Sequence, residues 1–289
     1  VLLRILIILD PQCGRAMDGD PVTLSSTSRL RPWHRWAFLF CLGALAHPGL
    51  GFLPFGAMEL APAPVAPQVR VGPSVLAGDL AMLATETRRA LRAGADFVHL
   101  DVFDGNWIKG AFTFGPMVVR ALRRHEPKAY LDVHLCVTQP AQYLDELAKA
   151  GASRVLLHFE ALDRSPAVAK AAAQLAHQLG MEVGLALAPQ THLDSDVLEA
   201  AESFDAVLAM TVTPGFGGQA FMHEVLPKVH QLREAFPHKS LEVDGGITVR
   251  TAALAAAAGA NEAVAGTAVF GAKDLRRAIR DLRKSLERS

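Results

Sequence analysis

Val98-His99-Leu100-Asp101-Val102 and Leu131-Asp132-Val133-His134-Leu135 decide how this chain is read. In both, polar groups alternate with large aliphatics. A period of two is the mark of a strand, so His99 and Asp101 project to one face, and Asp132 and His134 do the same. Val, Leu and Phe fill the other face and flank both stretches, which makes them buried strands. Imidazoles and carboxylates on a buried face are costly unless paired, and a divalent metal is the simplest partner for two histidines and an aspartate. A third stretch, Leu241-Glu242-Val243-Asp244-Gly245-Gly246, offers Asp244 at a strand end to complete such a site. An enzyme is the leading reading.

Outward from these strands, the chain from Val69 onward alternates strand and helix. Candidate strands are Val69–Leu76, Phe97–Phe103, Tyr130–Val137, Arg154–Phe159, Glu182–Ala188, Ala206–Val212, Ser240–Val243 and Glu262–Phe270. Helical stretches include Asp79–Ala93, Pro116–Arg124, Ala141–Ala150, Ala167–Leu179, Thr251–Ala258 and Asp274–Glu287. Such alternation implies parallel pairing with right-handed crossovers. Eight units in about 220 residues fit an α/β fold of the (β/α)8 TIM-barrel type. An open doubly wound sheet is the alternative, but no Gly-x-Gly-x-x-Gly fingerprint follows the first strand. Gly94, Gly151 and Gly259 each sit beside Ala shortly before a strand and read as helix C-caps.

In a barrel, chemistry gathers where strands end and loops begin. His99, Asp101, His134 and Asp244 all lie toward such ends. Two imidazoles and two carboxylates suit Zn, Fe, Mn or Co, and mixed N/O ligation does not choose among them. Taken singly, each of these residues is more simply a satisfied core polar group; four on three strands with consistent facing point to one metal ion. Phosphate binding has separate signals. Thr213-Pro214-Gly215-Phe216-Gly217-Gly218-Gln219 follows the sixth strand, Asp244-Gly245-Gly246 the seventh, and Ala265-Gly266-Thr267-Ala268 belongs to the eighth. Glycine lets backbone N–H groups approach an anion that a side chain would hold off.

These segments, with Val71-Gly72-Pro73-Ser74-Val75-Leu76 and the His99-x-Asp101-x-x-Asp104-Gly105 run, resemble the ribulose-phosphate 3-epimerase family from about Val69 to the C-terminus, in order and close to its spacing. The resemblance implies a (β/α)8 barrel that interconverts D-ribulose 5-phosphate and D-xylulose 5-phosphate through one divalent metal. It implies His99, Asp101, His134 and Asp244 as metal ligands, with Asp101 and Asp244 as the acid/base pair. Ser74 matches a substrate-contacting serine, and Gly217, Gly218, Gly246, Gly266 and Thr267 match a phosphate cradle; His134, Met210, Gly215 and Asp244 complete the expected substrate contacts. Inverting a carbon α to a carbonyl needs a base on one face and an acid on the other, so two carboxylates on different strands make chemical sense. The expected partners are a phosphorylated ketopentose and further copies of the chain.

The chain departs from the family in several places. Phe103 and Cys136 stand where the family usually has Met, so only Met210 keeps that apolar lid. After Asp104-Gly105 the family commonly reads His-Phe-Val-Pro-Asn; here Asn106-Trp107-Ile108-Lys109-Gly110-Ala111 is one residue longer. Lys109 is either a solvated charge or a group that reaches substrate. Gly72, Thr213 and Thr267 replace Ala, Asn and Ser. These changes leave two alternatives: a ketohexose-6-phosphate 3-epimerase, or an inactive sugar-phosphate-binding barrel. The intact carboxylate pair weighs against the second.

The 289 residues carry 29 basic and 29 acidic side chains, so no basic excess suggests nucleic acid. Cys13, Cys41 and Cys136 are widely spaced, with no CxxC, which argues against a disulfide framework or a cysteine-based zinc site. Residues 1–67 read as an extension of little stable structure, and residues 68–289 as the barrel. Within the extension, Met17 is the first possible initiator, and the basic run Arg29, Arg31, His34 and Arg35 precedes apolar Ala37–Ala46 and a closing Ala-Leu-Ala. That pattern matches a secretory signal peptide, too short to span a membrane, followed by an Ala/Pro-rich linker over Glu59–Pro67. A two-part plastid address would reconcile it with a barrel lacking disulfides; otherwise the cytoplasm is expected. The reaction would serve carbon fixation, the Calvin cycle, in a plastid, or the pentose phosphate pathway in the cytosol. No membrane contact is expected of the mature barrel.

Overall fold

A computed structural model describes residues 67–287, so the expected targeting segment lies outside the described residues. Eight strands follow in order: β1 (Arg70–Pro73), β2 (Val98–Phe103), β3 (Leu131–Cys136), β4 (Arg154–His158), β5 (Glu182–Leu187), β6 (Ala206–Met210), β7 (Ser240–Asp244) and β8 (Glu262–Ala265). All pair in parallel, in the spatial order β1-β8-β7-β6-β5-β4-β3-β2. The two ends meet at a parallel bridge between Ser74 and His99, which closes the barrel. Closure therefore happens beside the predicted ligand His99.

The helices are α1 (Leu83–Arg92), α2 (Pro116–His125), α3 (Leu144–Ala150), α4 (Pro166–Gln178), α5 (Ser195–Glu202), α6 (Leu226–Ala235), α7 (Val249–Ala257), α8 (Thr267–Phe270) and α9 (Leu275–Leu286). Short polar residues start several of them. Ser165, Asp194 and Asp274 each accept a backbone N–H at a helix N-terminus, and Thr248 with Thr251 forms a reciprocal capping box at α7. The three predicted glycine caps all take positive φ, as Gly151 does at 87° after α3. No helix among the described residues is long and apolar enough to cross a membrane.

Three apolar clusters result among the described residues, the smallest of them Phe103, Ala111 and Cys136. The outward faces of the strands, such as Val133, Val155 and Val183, pack against the helices, where the small Ala169, Ala173 and Ala176 of α4 permit close approach. Leu156, Ala186, Leu208, Met210 and Val212 fill the barrel interior. Gly72 on β1 has a steric reason: a Cβ there would lie 2.0 Å from the Phe97 ring. The bulk of Phe97 makes up for the side chain that β1 lacks.

The eighth strand is shorter than its sequence predicts. Val269 and Phe270 have strand-like propensity, yet the strand stops at Ala265 and Thr267–Phe270 coils into α8. The N–H groups of Val269 and Phe270 both donate to the Gly266 carbonyl instead of a neighbouring strand. Tertiary context overrides propensity here. It also turns the chain at Gly266, beside Ser74 and Ala77 of the loop after β1.

Candidate active site

Pairing of β2 with β3 sets His99 beside Asp132 and Asp101 beside His134. With β7 supplying Asp244, one ligand atom from each of His99, Asp101, His134 and Asp244 falls within 4.8 Å of the others. His134 Nδ1 lies 3.1 Å from Asp101 Oδ1, and His99 Nε2 lies 3.3 Å from Asp101 Oδ1 and 3.9 Å from Asp244 Oδ2. His99 Nε2 is fully buried without a hydrogen-bond partner. An orphaned imidazole nitrogen facing two carboxylates suits a divalent cation, and the N/O donor set suits one of borderline hardness.

The electrostatics favour positive charge at that point. Burial alone would lower His99, but Asp101 and Asp132 outweigh it and hold the imidazole well above its ordinary range. A proton and a metal ion would compete for the same lone pair. Burial would raise Asp101, yet the charge of His99 and the bonds from both imidazoles keep it below the usual carboxylate range. Asp244 is pushed up to about 7, first by burial and then by repulsion from Asp101 and Asp132, against the attraction of His99. Their surroundings push the two carboxylates in opposite directions. Ser74 fixes one of them, its hydroxyl donating to Asp101 Oδ2 at 2.7 Å.

A polar layer lies behind these four side chains. His99 Nδ1 is 2.7 Å from Asp132 Oδ2, and Asp132 Oδ1 accepts from Arg154 Nε at 2.6 Å. The same buried guanidinium donates to Glu262 Oε2 at 2.9 Å and to Glu242 Oε2. Arg70 supports Glu262 from the other side at 3.2 Å. Burial, then repulsion from Asp132, pushes Glu242 well above its usual range. This layer orients His99 through the nitrogen that does not face the site. Asp132, Glu242 and Glu262 had a partial signal: Asp132 precedes His134 by two residues and Glu242 precedes Asp244 by two, so each pair shares a face. Arg154 had none, because its partners come from three other strands.

A second chain runs sideways from His134. Its Nε2 lies 2.9 Å from His158 Nε2, whose Nδ1 lies 3.0 Å from Glu160 Oε2. Glu160 Oε1 accepts from the Ala188 N–H at 2.9 Å and from the Thr191 hydroxyl. Burial chiefly holds His158 down at about 4, so its ring is neutral. Trp107, in the extended loop, covers this ring at 4.5 Å between centroids. Cys136 Sγ sits against both imidazoles.

Above the ligands opens a cavity of about 440 Å³. Ser74, Asp101, His134, Met210 and Asp244 line it, as do the predicted Gly215, Gly217, Gly218, Gly246, Gly266 and Thr267. His99 sits below it, fully buried. Phe103 and Cys136 join Met210 as the apolar wall. No Lys or Arg lines this cavity, so an anion there meets backbone N–H groups and short polar side chains. Gly246 shows why the cradle is glycine-rich: φ is 63°, and a Cβ would lie 2.5 Å from the Phe221 nitrogen. The Thr251 hydroxyl of the α7 capping box donates to the Gly246 carbonyl at 3.0 Å and pins this turn. Lys109 is exposed and absent from the cavity wall, which makes it a solvated charge.

The sequence model of the ribulose-phosphate 3 epimerase family matches residues 70–270. The chain is 46% identical over 221 residues to the ribulose-phosphate 3-epimerase of Schizosaccharomyces pombe, covering 76% of this chain and 94% of that one. It is 44% identical over 222 residues to the cytoplasmic isoform of the Oryza sativa enzyme, covering 76% and 95%. Among solved structures, 3-keto-L-gulonate-6-phosphate decarboxylase of Vibrio cholerae superposes with a TM-score of 0.58 at 16% identity, over 78% of this chain and 99% of that one. At that identity the likeness speaks for the barrel alone.

Proposed function

The chain belongs to the ribulose-phosphate 3-epimerase family, and from that premise we propose how its residues divide the work of interconverting D-ribulose 5-phosphate and D-xylulose 5-phosphate. The observation that carries the assignment is the pair Asp101 and Asp244, on different strands and both lining one cavity. Asp101, held ionised and fixed by Ser74, takes the C3 proton from one face of the sugar. Asp244 returns a proton to the other face, and the configuration at C3 inverts. In the reverse direction the two exchange roles. The glycine-rich end of the cavity holds the phosphate and so sets where C3 lies between the carboxylates.

His99, Asp101, His134 and Asp244 would hold one divalent ion of Zn, Fe, Mn or Co. Such an ion supplies electrostatic stabilisation to the sugar oxygens as negative charge develops on them. Phe103, Cys136 and Met210 exclude water from the reacting carbon. Asp101→Asn and Asp244→Asn test the pairing in a coupled assay run in both directions. Each should lower kcat by about 100-fold or more, and each should stop exchange of the C3 proton with solvent deuterium in only one of the two substrates. Equal exchange from both substrates in either variant refutes the two-base assignment.

The phosphorylated ketopentose fits a cavity lined by glycine-rich turns that can present backbone N–H groups to its phosphate, and assembly with further copies of the chain stays part of the proposal. Plastid targeting rests on the basic-then-apolar run over residues 29–46. Fusing residues 17–68 to a fluorescent reporter tests it, and a purely cytosolic signal would refute it.

A further inference from the structure

We propose that His134, Cys136 and His158 form a second metal site, selective for a soft divalent cation such as Zn²⁺ or Cd²⁺, next to the first and sharing His134 with it. One ligand atom from each of the three lies within 4.8 Å of the others, and all three side chains are buried. The two sites use opposite nitrogens of one ring. His134 Nδ1 faces Asp101, whereas Nε2 faces His158 Nε2 at 2.9 Å and Cys136 Sγ at 3.5 Å. Cys136 Sγ and His158 Nε2 are 3.7 Å apart. A tetrahedral ion with Zn–S of about 2.3 Å and Zn–N of about 2.05 Å requires S···N separations of about 3.5 Å and N···N of about 3.3 Å. The two sulfur distances already fit, and the imidazoles need to part by only about 0.4 Å.

The charge balance also fits a buried location. The 2.9 Å approach of His134 Nε2 to His158 Nε2 is that of a hydrogen bond, which needs one proton between the two nitrogens, and a metal-free Cys136 thiol carries another. An entering M²⁺ forms bonds to the sulfur and to both Nε2 atoms, and two protons leave to solvent. The exchange is electroneutral, so no net charge is carried into the interior. His158 is aimed for this role by Glu160, which holds its Nδ1 and is itself fixed by Ala188 and Thr191. The thiolate favours soft ions over Mg²⁺ or Mn²⁺. Cys136 and His134 both line the cavity, which provides the way in. Occupancy of this site would bridge His134 between two cations and slow turnover, making excess zinc inhibitory. The proposal rests on the reading of the first site only for the count of ions.

The experiment titrates the full chain carrying Cys13→Ser and Cys41→Ser with Co²⁺. Two equivalents should bind, one of them with a thiolate-to-metal charge-transfer band in the near ultraviolet, and about two protons should be released with that equivalent. Cys136→Ser and, independently, His158→Gln should each bind one equivalent without the band, while Asp244→Asn should keep the band. Absence of the band from the parent, or its survival in folded Cys136→Ser, overturns the second site. A band-bearing equivalent as the sole ion bound by the parent would support this site and count against the first.

Discussion

Replacing Arg154 by Met should destabilise the barrel by an amount that depends on pH in a calculable way. The guanidinium is 1% exposed and serves Asp132, Glu242 and Glu262. The three carboxyls do not lose equally. Glu262 keeps Arg70 at 3.2 Å, and Glu242 is already pushed well above its usual range by burial. Asp132 loses the larger of its two counter-charges, keeps the His99 imidazole at 2.7 Å and remains fully buried. Its escape is to take up a proton. For a carboxyl with an ordinary value of 3.8, protonation at pH 7 costs about 4 kcal/mol at roughly 1.36 kcal/mol per pH unit. That agrees with the roughly 3–5 kcal/mol typical of breaking a buried ion pair from one side. For a domain of this size about 4 kcal/mol corresponds to a fall in Tm of roughly 8–16 °C. At pH 5 the cost of protonation drops to about 1.6 kcal/mol, and the fall in Tm should shrink in proportion. Thermal unfolding followed by circular dichroism at the two pH values measures both, and adding Asp132→Asn to Arg154→Met should recover much of the loss at pH 7. A fall of less than about 3 °C at pH 7, or the same fall at both pH values, would refute the reasoning.

Three further outcomes follow from the same geometry. Ser74→Ala removes a hydroxyl donor to a buried carboxylate, a bond worth about 1.5–3 kcal/mol; kcat/KM should drop tenfold or more, and an unchanged value would mean Asp101 is held in place without Ser74. Gly246→Ala forces a Cβ to 2.5 Å from the Phe221 nitrogen at a φ of 63°, so the phosphate turn must shift and KM should rise about tenfold with a smaller effect on kcat; an unmoved KM in steady-state kinetics would remove this turn from the phosphate site. Acid should weaken the fold in two steps. Burial leaves His158 neutral down to about 4 in the fold, against an ordinary value of 6.5. The unfolded chain therefore takes up that proton first, and stability is lost as pH falls from 6.5 to about 4. Glu160, which burial would raise but its bonds to His158, Thr191 and Ala188 bring down to about 2, stabilises fully above 4.5 and loses that contribution as pH falls toward 2. Each step is worth about 3 kcal/mol. In urea unfolding of the metal-free protein across this range, His158→Gln should abolish the upper step; persistence of that step would assign it elsewhere.

The alternation in two short strands foretold a polar patch on an inner face, since a period of two specifies a face whatever the neighbours are, while the barrel itself was read from eight strand–helix units along the chain. The convergence of His99, Asp101, His134 and Asp244 was legible from the alternation that puts them on inward faces, although only Asp244 closes its strand and His99 is the second residue of β2. Gly215, Gly218 and Gly246 were legible as turn residues because positive φ restricts residue choice locally. Height within the barrel was another matter. Asp132 shares a face with His134 and looks like a fifth ligand, yet it lies one layer lower, bound to Arg154 and to the far side of His99. Strand stagger sets that layer, and stagger arises only when all eight strands close. The pairing of Cys136 with His158, the seat of Arg154 among Asp132, Glu242 and Glu262, and the coiling of Thr267–Phe270 belong to the same class. Each depends on which distant segments become neighbours, and local periodicity carries no record of that.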